Sequence, residues 1–293
     1  MKLAPEGARI VRFVVTAVLL LLVFRSVDLD QLRPNLARLH LTTLVLLLLL
    51  HWTSQMISAQ RWRILAAALG IGGSYPKFCR TYFASMFFNI GLPALGADAI
   101  RACSISQTSD SPVADAAASV LQDRAAGLIG LLLYGSLGVL LAPLQWRAIP
   151  ISVIYLAGWA GVAAAILLVR KSKPAYLPQK RLGLVFLLSA VNSGLVIWIV
   201  QRLSAALGAQ LDMLTACALV PVIDMVTMLP ISVAGIGIRE WAFIEGFGLL
   251  GISRDLSLAI ALALSALVIL RNLAGVFFLG TIPASLRGGR TGE

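Results

Sequence analysis

Long apolar segments alternate with short polar loops along this chain, and the pattern predicts helices that cross a bilayer. A crossing needs about 20 mostly apolar residues, because each helical residue rises about 1.5 Å. The predicted spans are Ile10–Phe24, Leu41–Leu65, Val113–Leu141, Pro150–Val169, Leu182–Leu203 and Ser253–Ile282. The first is short, and no small-residue cleavage site follows it. We therefore expect an uncleaved span there rather than a signal peptide.

Two further apolar segments, Phe78–Ser106 and Leu211–Leu250, are interrupted. In each, a Leu-Pro pair is followed by glycine and then by arginine. Proline removes a backbone donor and glycine loosens the backbone, so neither segment forms one continuous helix. The breaks are marked by Asn89, Pro93 and Gly96 in the first segment and by Pro230, Gly235 and Gly237 in the second. We predict two re-entrant hairpins, with pairs of short full spans as the alternative.

Basic residues set the predicted orientation through the positive-inside rule. The loop from Arg170 to Arg181 contains several lysines and arginines and no acid, so we place it in the cytoplasm. The basic residues that agree with this side are Lys2, Arg9, Arg12, Arg61, Arg63, Lys77, Arg80, Arg287 and Arg290. Both termini are then cytoplasmic, and the two broken hairpins enter from opposite faces. The prediction is a single transmembrane domain, residues 1–293, with inverted repeats at 41–141 and 182–282.

The composition narrows the class of protein. The chain is 59% hydrophobic and 13% charged, which excludes an ordinary soluble domain. We predict an all-α, polytopic integral membrane protein with about six full spans and the two hairpins. The net charge of +11 fits cytoplasmic loops near anionic lipids better than nucleic-acid binding. The cysteines and histidines lack metal-ligand spacing, so no metal and no cofactor are expected.

Charged residues within the apolar segments are the candidate site. Each costs a few kcal/mol to insert, so such residues usually line a cavity or pair with one another. The candidate substrate-binding residues are Asp98, Arg101, Asp123, Arg124, Arg239 and Glu240. Arginine beside a fresh helix N-terminus suits a phosphate. The alternative is that Asp98–Arg101 and Arg239–Glu240 are structural pairs.

Several of the charged residues can be interpreted in more than one way. Asp123 and Arg124 point about 100° apart on a helix, so one can bond across to a hairpin while the other faces a cavity. A purely structural cross-brace is equally compatible with the pattern. Asp224 is either partnered by Arg271 or another arginine, or protonated as part of a relay. Arg271 and Asn272 can complete a polar layer within the last span.

At these motifs the chain resembles the flippase-like family of the lysylphosphatidylglycerol synthase transmembrane region. The matching motifs are Phe87-Phe88-Asn89-x-x-x-Pro93 with Gly96-x-Asp98-x-x-Arg101, Asp123-Arg124-x-x-Gly127-Leu128, and Leu229-Pro230 with Gly235-x-Gly237-x-Arg239-Glu240. Ala97 stands where the family often has glycine. The resemblance implies a stand-alone bacterial inner-membrane protein without the synthase's aminoacyltransferase domain. It also implies a membrane phospholipid or a polyprenyl-phosphate-type lipid as partner.

Three functions remain open on the sequence alone. The leading hypothesis is a lipid translocase in which Arg101, Arg124 and Arg239 hold a phosphate and the neighbouring acids orient them. A non-transporting scaffold for envelope lipid or glycan synthesis is the alternative. An intramembrane enzyme would need a nucleophile or a carboxylate cluster, and the acids here are dispersed among arginines. We therefore expect no catalytic residue and no enzymatic activity.

Overall fold

The computed structural model describes residues 34–90, 94–142, 144–146, 149–169, 179–228, 235 and 237–283. From Leu41 onward the helices are α1 (Leu41–Ala68), α2 (Tyr75–Phe88), α3 (Ala94–Ser109), α4 (Val113–Leu141), α5 (Ser152–Val169), α6 (Gln179–Ala206), α7 (Met213–Thr227), α8 (Ile238–Gly248) and α9 (Arg254–Leu273). A 3₁₀ helix, Ala274–Thr281, continues α9. Two-residue strands β1 (Gln145–Trp146) and β2 (Ile149–Pro150) pair as a small antiparallel hairpin between α4 and α5.

Four helical segments are long and apolar enough to cross a membrane: Leu41–Ala68, Val113–Leu141, Arg181–Ala206 and Arg254–Thr281. They coincide with four predicted spans, and the prediction of an all-α polytopic membrane protein is confirmed. The predicted span at 150–169 is present as α5, which has 18 residues. The predicted span Ile10–Phe24 lies outside the described residues.

The helices on either side of the two predicted breaks are short. The first pair, α2 and α3, has 14 and 16 residues, and the second pair, α7 and α8, has 15 and 11. Asn89 is the C-cap of α2, and Gly96 lies in the first turn of α3. Gly237 is the N-cap of α8 with φ 85°, a left-handed value that favours glycine. Pro93 and Pro230 lie outside the described residues.

Asp212 fixes the start of α7. Its side chain accepts a hydrogen bond from the Thr215 backbone N–H at 3.0 Å, which satisfies one of the free donors of the first turn. Hydrogen bonding from the Thr215 side chain and backbone holds the pKa of the Asp212 carboxyl below its usual range. The second short-helix pair therefore begins at a capped terminus in the loop after α6.

Apolar side chains cover the outside of the bundle as well as its core. Leu41, Leu140 and Leu156 are each at least 69% exposed, which would be costly in water. In a bilayer these side chains contact lipid, so they mark the outer surface of a membrane domain. The main core, by contrast, packs residues such as Leu132, Ile197 and Phe243 between the helices.

Glycines allow two close helix contacts inside the bundle. A Cβ at Gly138 of α4 would clash with the backbone of Cys217 and Ala218 in α7. A Cβ at Gly275 of the 3₁₀ helix would clash with the Phe83 carbonyl oxygen of α2. Small residues at such crossings let backbones pack directly, which is a major source of helix association in membranes.

The Gly138 contact makes a testable prediction. Gly138→Ala should destabilise the protein by about 1–3 kcal/mol, because α4 and α7 must separate to accept a methyl group. Thermal unfolding of the purified protein in detergent measures the effect. Gly161→Ala is the matched control, because a Cβ there meets nothing within 4 Å. Equal melting temperatures for the two variants would show that the α4–α7 contact is not close-packed.

Candidate functional site

A cavity of about 430 Å³ lies between the helices of both halves of the bundle. Its wall includes residues from α1, α4, α6 and α9 and from both pairs of short helices. The charged residues that line it are Arg61, Asp98, Arg101, Asp123, Arg124, Asp224, Arg239 and Arg271. The described wall thus contains five arginines and three aspartates. Because the medium around the helices is apolar, this excess of positive charge favours an anionic ligand.

Arg61, Asp98, Arg101, Asp123 and Arg124 form a continuous chain of ion pairs, which we call the paired cluster. Asp123 accepts from Arg61 Nε at 2.8 Å and from Arg101 Nη1 at 3.3 Å. Asp98 accepts from Arg124 Nε at 2.8 Å and lies 3.6 Å from Arg101 Nη2. The cluster joins α1, α3 and α4, and each aspartate is shared by two arginines.

Arg101 is held on two further sides by aromatic rings. Its guanidinium carbon lies 4.8 Å from the ring centroids of Trp62 and Tyr82. Cation–π contacts of this kind stabilise a cation away from water. The Arg101 Nε and Nη2 atoms are buried and have no hydrogen-bond partner. The side chain is therefore fixed in place while part of its donor capacity is unused.

Arg61 is the member of the paired cluster that sequence analysis missed. The positive-inside rule places Arg61 among the basic residues of the predicted cytoplasmic side, whereas the residue lies inside α1 and is only 4% exposed. Asp123, itself 2% exposed, provides the reason: a buried carboxylate between two guanidiniums offsets the cost of burying all three. The signal was present in the sequence, since the predicted span Leu41–Leu65 already contained Arg61.

Asp123 and Arg124, although adjacent, bond to different helices. Asp123 pairs with α1 and α3, and Arg124 pairs with Asp98 at the start of α3. This is the divergence expected of neighbouring helical positions. Arg124 is the more accessible, with 38% of its side chain exposed. Both residues brace the first short-helix pair, and both line the cavity.

Glu240 lies behind the cavity wall rather than in its described lining. Its Oε2 accepts from the Gly237 backbone N–H at 2.6 Å, which caps α8, and its Oε1 accepts from Ser265 Oγ at 2.8 Å. Arg239 Nη1 donates to the same hydroxyl at 3.1 Å. Glu240 and Arg239 are thus joined through Ser265, and only Arg239 faces the cavity.

Arg271 forms part of the wall at the end of α9. Its Nε and Nη2 both donate to Asn272 Oδ1 at 3.2 Å, and the Trp52 indole N–H donates to its carbonyl oxygen at 3.4 Å. The predicted polar layer of Arg271 and Asn272 therefore lies at the cavity, against α1. The Asn89 amide oxygen of α2, also in the lining, is buried without a hydrogen-bond partner.

The described residues contain no group of three or more histidines, cysteines or carboxylates placed to hold a metal ion. The lining also contains neutral polar groups. Ser54 Oγ of α1 donates to Asn192 Oδ1 of α6 at 2.7 Å, and Ser58 donates to the same oxygen at 3.3 Å. The cavity therefore combines guanidinium donors with neutral hydrogen-bonding groups.

Fold and site together define a multi-pass α-helical membrane protein with a positively charged cavity enclosed by its helices. The sequence profile of the lysylphosphatidylglycerol synthase TM region matches residues 9–275. The chain belongs to this family, which confirms the resemblance seen in the motifs. Comparison with curated proteins returns no match. The family indicates a membrane protein of lipid-related biosynthesis or transport.

The shared carboxylate of the paired cluster makes a second prediction. Asp123→Asn should destabilise the protein by about 3–5 kcal/mol, because it leaves Arg61 and Arg101 buried without their common counter-ion. The measurement is the melting temperature in detergent. Asp110→Asn is the control, because Asp110 is exposed and asparagine tolerates its φ of 47°. A melting temperature unchanged by Asp123→Asn would contradict a stabilising role for the pairs.

Proposed function

We propose that the protein is a lipid translocase that accepts a phosphate-bearing headgroup in the cavity while the acyl or prenyl tails stay in the surrounding lipid. The observation that carries this proposal is the excess of arginine over aspartate in a cavity between the helices of a membrane domain. Guanidinium groups bind phosphate through paired hydrogen bonds. The proposed partners are a membrane phospholipid or a polyprenyl-phosphate-type lipid.

Helix packing supports an inverted repeat of α1–α4 and α6–α9. The last helix of each repeat packs against the first short helix of the other: α4 against α7, and the 3₁₀ extension of α9 against α2. The close-contact glycines occupy these two crossings. Gly138 precedes Gly275 by the same number of residues as Pro93 precedes Pro230. Such repeats underlie alternating access in many secondary transporters.

The lengths of the short helices support re-entrant hairpins. At about 1.5 Å per residue, helices of 11 to 16 residues extend roughly 17–24 Å, less than the hydrocarbon thickness of about 30 Å. Pairs of such helices bring polar helix ends to membrane depth, where they can only face protein or a polar cavity. The two hairpins would thus form opposite walls of one headgroup path.

In this proposal the charged residues exchange partners as the cavity opens to either side. Arg101, Arg124 and Arg239 contact the phosphate, while Asp98, Asp123 and Glu240 receive the arginines when it leaves. The protein acts without a catalytic residue, so we propose no enzymatic reaction. It would lie in the bacterial inner membrane with both termini cytoplasmic, and its driving force would be an ion, a proton or the lipid gradient.

Lipid movement in reconstituted vesicles tests the proposal. Vesicles with purified protein should expose fluorescent phosphatidylglycerol of the inner leaflet to an external quencher faster than protein-free vesicles. Arg124→Gln should slow that exposure about tenfold, because it removes a phosphate contact. A tenfold slower rate corresponds to an activation free energy higher by about 1.4 kcal/mol. Arg202→Gln, an exposed arginine that bonds only its neighbour Gln201 among the described residues, should leave the rate unchanged.

The scaffold function makes the opposite prediction. Every arginine of the paired cluster lies within 4 Å of a carboxylate of the same cluster, which is also what a static brace would require. If fluorescent phosphatidylglycerol and a fluorescent polyprenyl phosphate both move no faster than in protein-free vesicles, the translocase proposal fails. If the Arg124→Gln protein, which lacks this positive charge, restores envelope synthesis in cells without the wild-type protein, the result would favour the scaffold.

A further inference from the structure

The two ends of the charged cavity differ in how far their arginines are neutralised. In the paired cluster every arginine lies within 4 Å of a carboxylate. At the other end, among the described residues, neither Arg239 nor Arg271 has a carboxylate within that distance. Their side-chain partners are the neutral groups of Ser265 and Asn272. The positive charge of these two guanidiniums is therefore available to attract an anionic ligand.

Four helices bring polar groups to this end. We call the group the open cluster: His51 of α1, Asp224 of α7, Arg239 of α8 and Arg271 of α9. Asp224, Arg239 and Arg271 line the same cavity. The bond from Trp52 to the Arg271 carbonyl places α1 directly beside α9 at this level. The cluster is therefore one electrostatic unit assembled from both repeats.

His51 provides an independent sign of a ligand site. The residue is 3% exposed, yet neither of its ring nitrogens has a hydrogen-bond partner among the described residues. A buried polar group without a partner costs about 1–3 kcal/mol in a folded protein. His51 lies about one helical turn before Ser54 in α1, and Ser54 lines the cavity together with Arg239 and Arg271. An anion between those arginines would give the imidazole N–H an acceptor.

Gly235 provides room for such an anion at the second break. Its φ of 77° suits glycine, and a Cβ there would lie 3.4 Å from Arg239 Nη2. The guanidinium of Arg239 thus lies close to the bare backbone of this break. The short helix α8 begins three residues later, at Ile238, and the Glu240 carboxylate caps its N-terminus.

We infer that Arg239, Arg271 and His51 form the subsite that binds the phosphate of the translocated lipid, and that Asp224 is a resident counter-ion whose charge opposes the phosphate. This inference rests on the proposed function and assigns the tightest phosphate site to the second repeat. It replaces the phosphate contacts of Arg101 and Arg124 with a supporting role, in which the paired cluster holds the first short-helix pair. Arg271 and His51 become binding residues that no motif of the chain had suggested.

Asp224 gives the subsite its expected response to substitution. A carboxylate that lines the same cavity as two arginines repels an incoming phosphate and offsets part of their attraction for it. Removing its charge should therefore strengthen phosphate binding, while removing either arginine should weaken it. Opposite responses from neighbouring residues are not expected of variants that merely disturb folding.

The test is calorimetric titration of the purified full-length protein with short-chain lipids. The probes are dihexanoyl phosphatidic acid, a phosphomonoester, dihexanoyl phosphatidylglycerol, a phosphodiester, and dihexanoylglycerol, which has no phosphate. Arg239→Gln and Arg271→Gln should weaken binding of both phosphate probes roughly tenfold to hundredfold. Asp224→Asn should strengthen it about threefold or more. Dihexanoylglycerol should bind none of the proteins measurably.

Controls separate the subsite from the rest of the cavity. Arg254→Gln should bind like wild type, because Arg254 is an exposed residue at the start of α9 with its partner Glu245 at 3.9 Å. His51→Asn, which keeps a donor, should bind more tightly than His51→Leu. Arg239→Lys should fall between wild type and Arg239→Gln, because it keeps the charge and loses the bidentate geometry.

The outcomes distinguish this inference from the proposed function. If Arg124→Gln abolishes phosphate binding while Arg239→Gln and Arg271→Gln leave it unchanged, the subsite inference is overturned and the translocase proposal stands. If Asp224→Asn weakens binding, Asp224 is a ligand or a brace and the counter-ion role is overturned. If wild type binds neither phosphate probe, the subsite and the proposed lipid phosphate fail together.

Discussion

The Asp123 carboxylate, shared between Arg61 and Arg101, is the interaction on which the cavity depends. Three charged side chains from three helices are almost completely buried around it in an apolar surrounding. None of them could be placed there alone, since each isolated charge costs several kcal/mol to remove from water. The pairs therefore fix α1, α3 and α4 relative to one another.

Charge at membrane depth has two different outcomes in this fold. In the paired cluster the charges neutralise one another and contribute mainly to rigidity, because the loss of one shared aspartate would leave two buried arginines without that counter-ion. In the open cluster, Arg239 and Arg271 bond the neutral groups of Ser265 and Asn272, so their positive charge is not neutralised by a close carboxylate. The helices α1–α4 and α6–α9 therefore contribute different chemistry to the cavity. A cavity with paired charges at one end and unpaired arginines at the other is suited to bind a charged headgroup mainly at the second end.

Much of the fold was predictable because hydrophobic length and helix breakers act locally. The span at 113–141 was predicted to the residue, and the last span was predicted at 253–282 against an observed 254–281. The family followed from short motifs around the breaks. The 3₁₀ segment after Leu273 was not predicted, because it depends on the close approach of Gly275 to α2, a contact between residues distant in sequence. The candidate site was only partly predictable for the same reason. The sequence shows that Asp123 needs a partner, but only the packing of α1 on α4 identifies Arg61.

The 3₁₀ extension of α9 also affects how the last span fits the bilayer. A 3₁₀ helix rises about 2.0 Å per residue, so eight such residues extend about 16 Å rather than the 12 Å of an α-helix. Together with the 20 residues of α9, the rod reaches about 46 Å, well beyond a hydrocarbon core of about 30 Å. Hydrophobic mismatch of that size is relieved by tilt or by local thickening of the bilayer. The tightened segment therefore makes this span sensitive to membrane thickness, a property set by lipid composition rather than by any ligand.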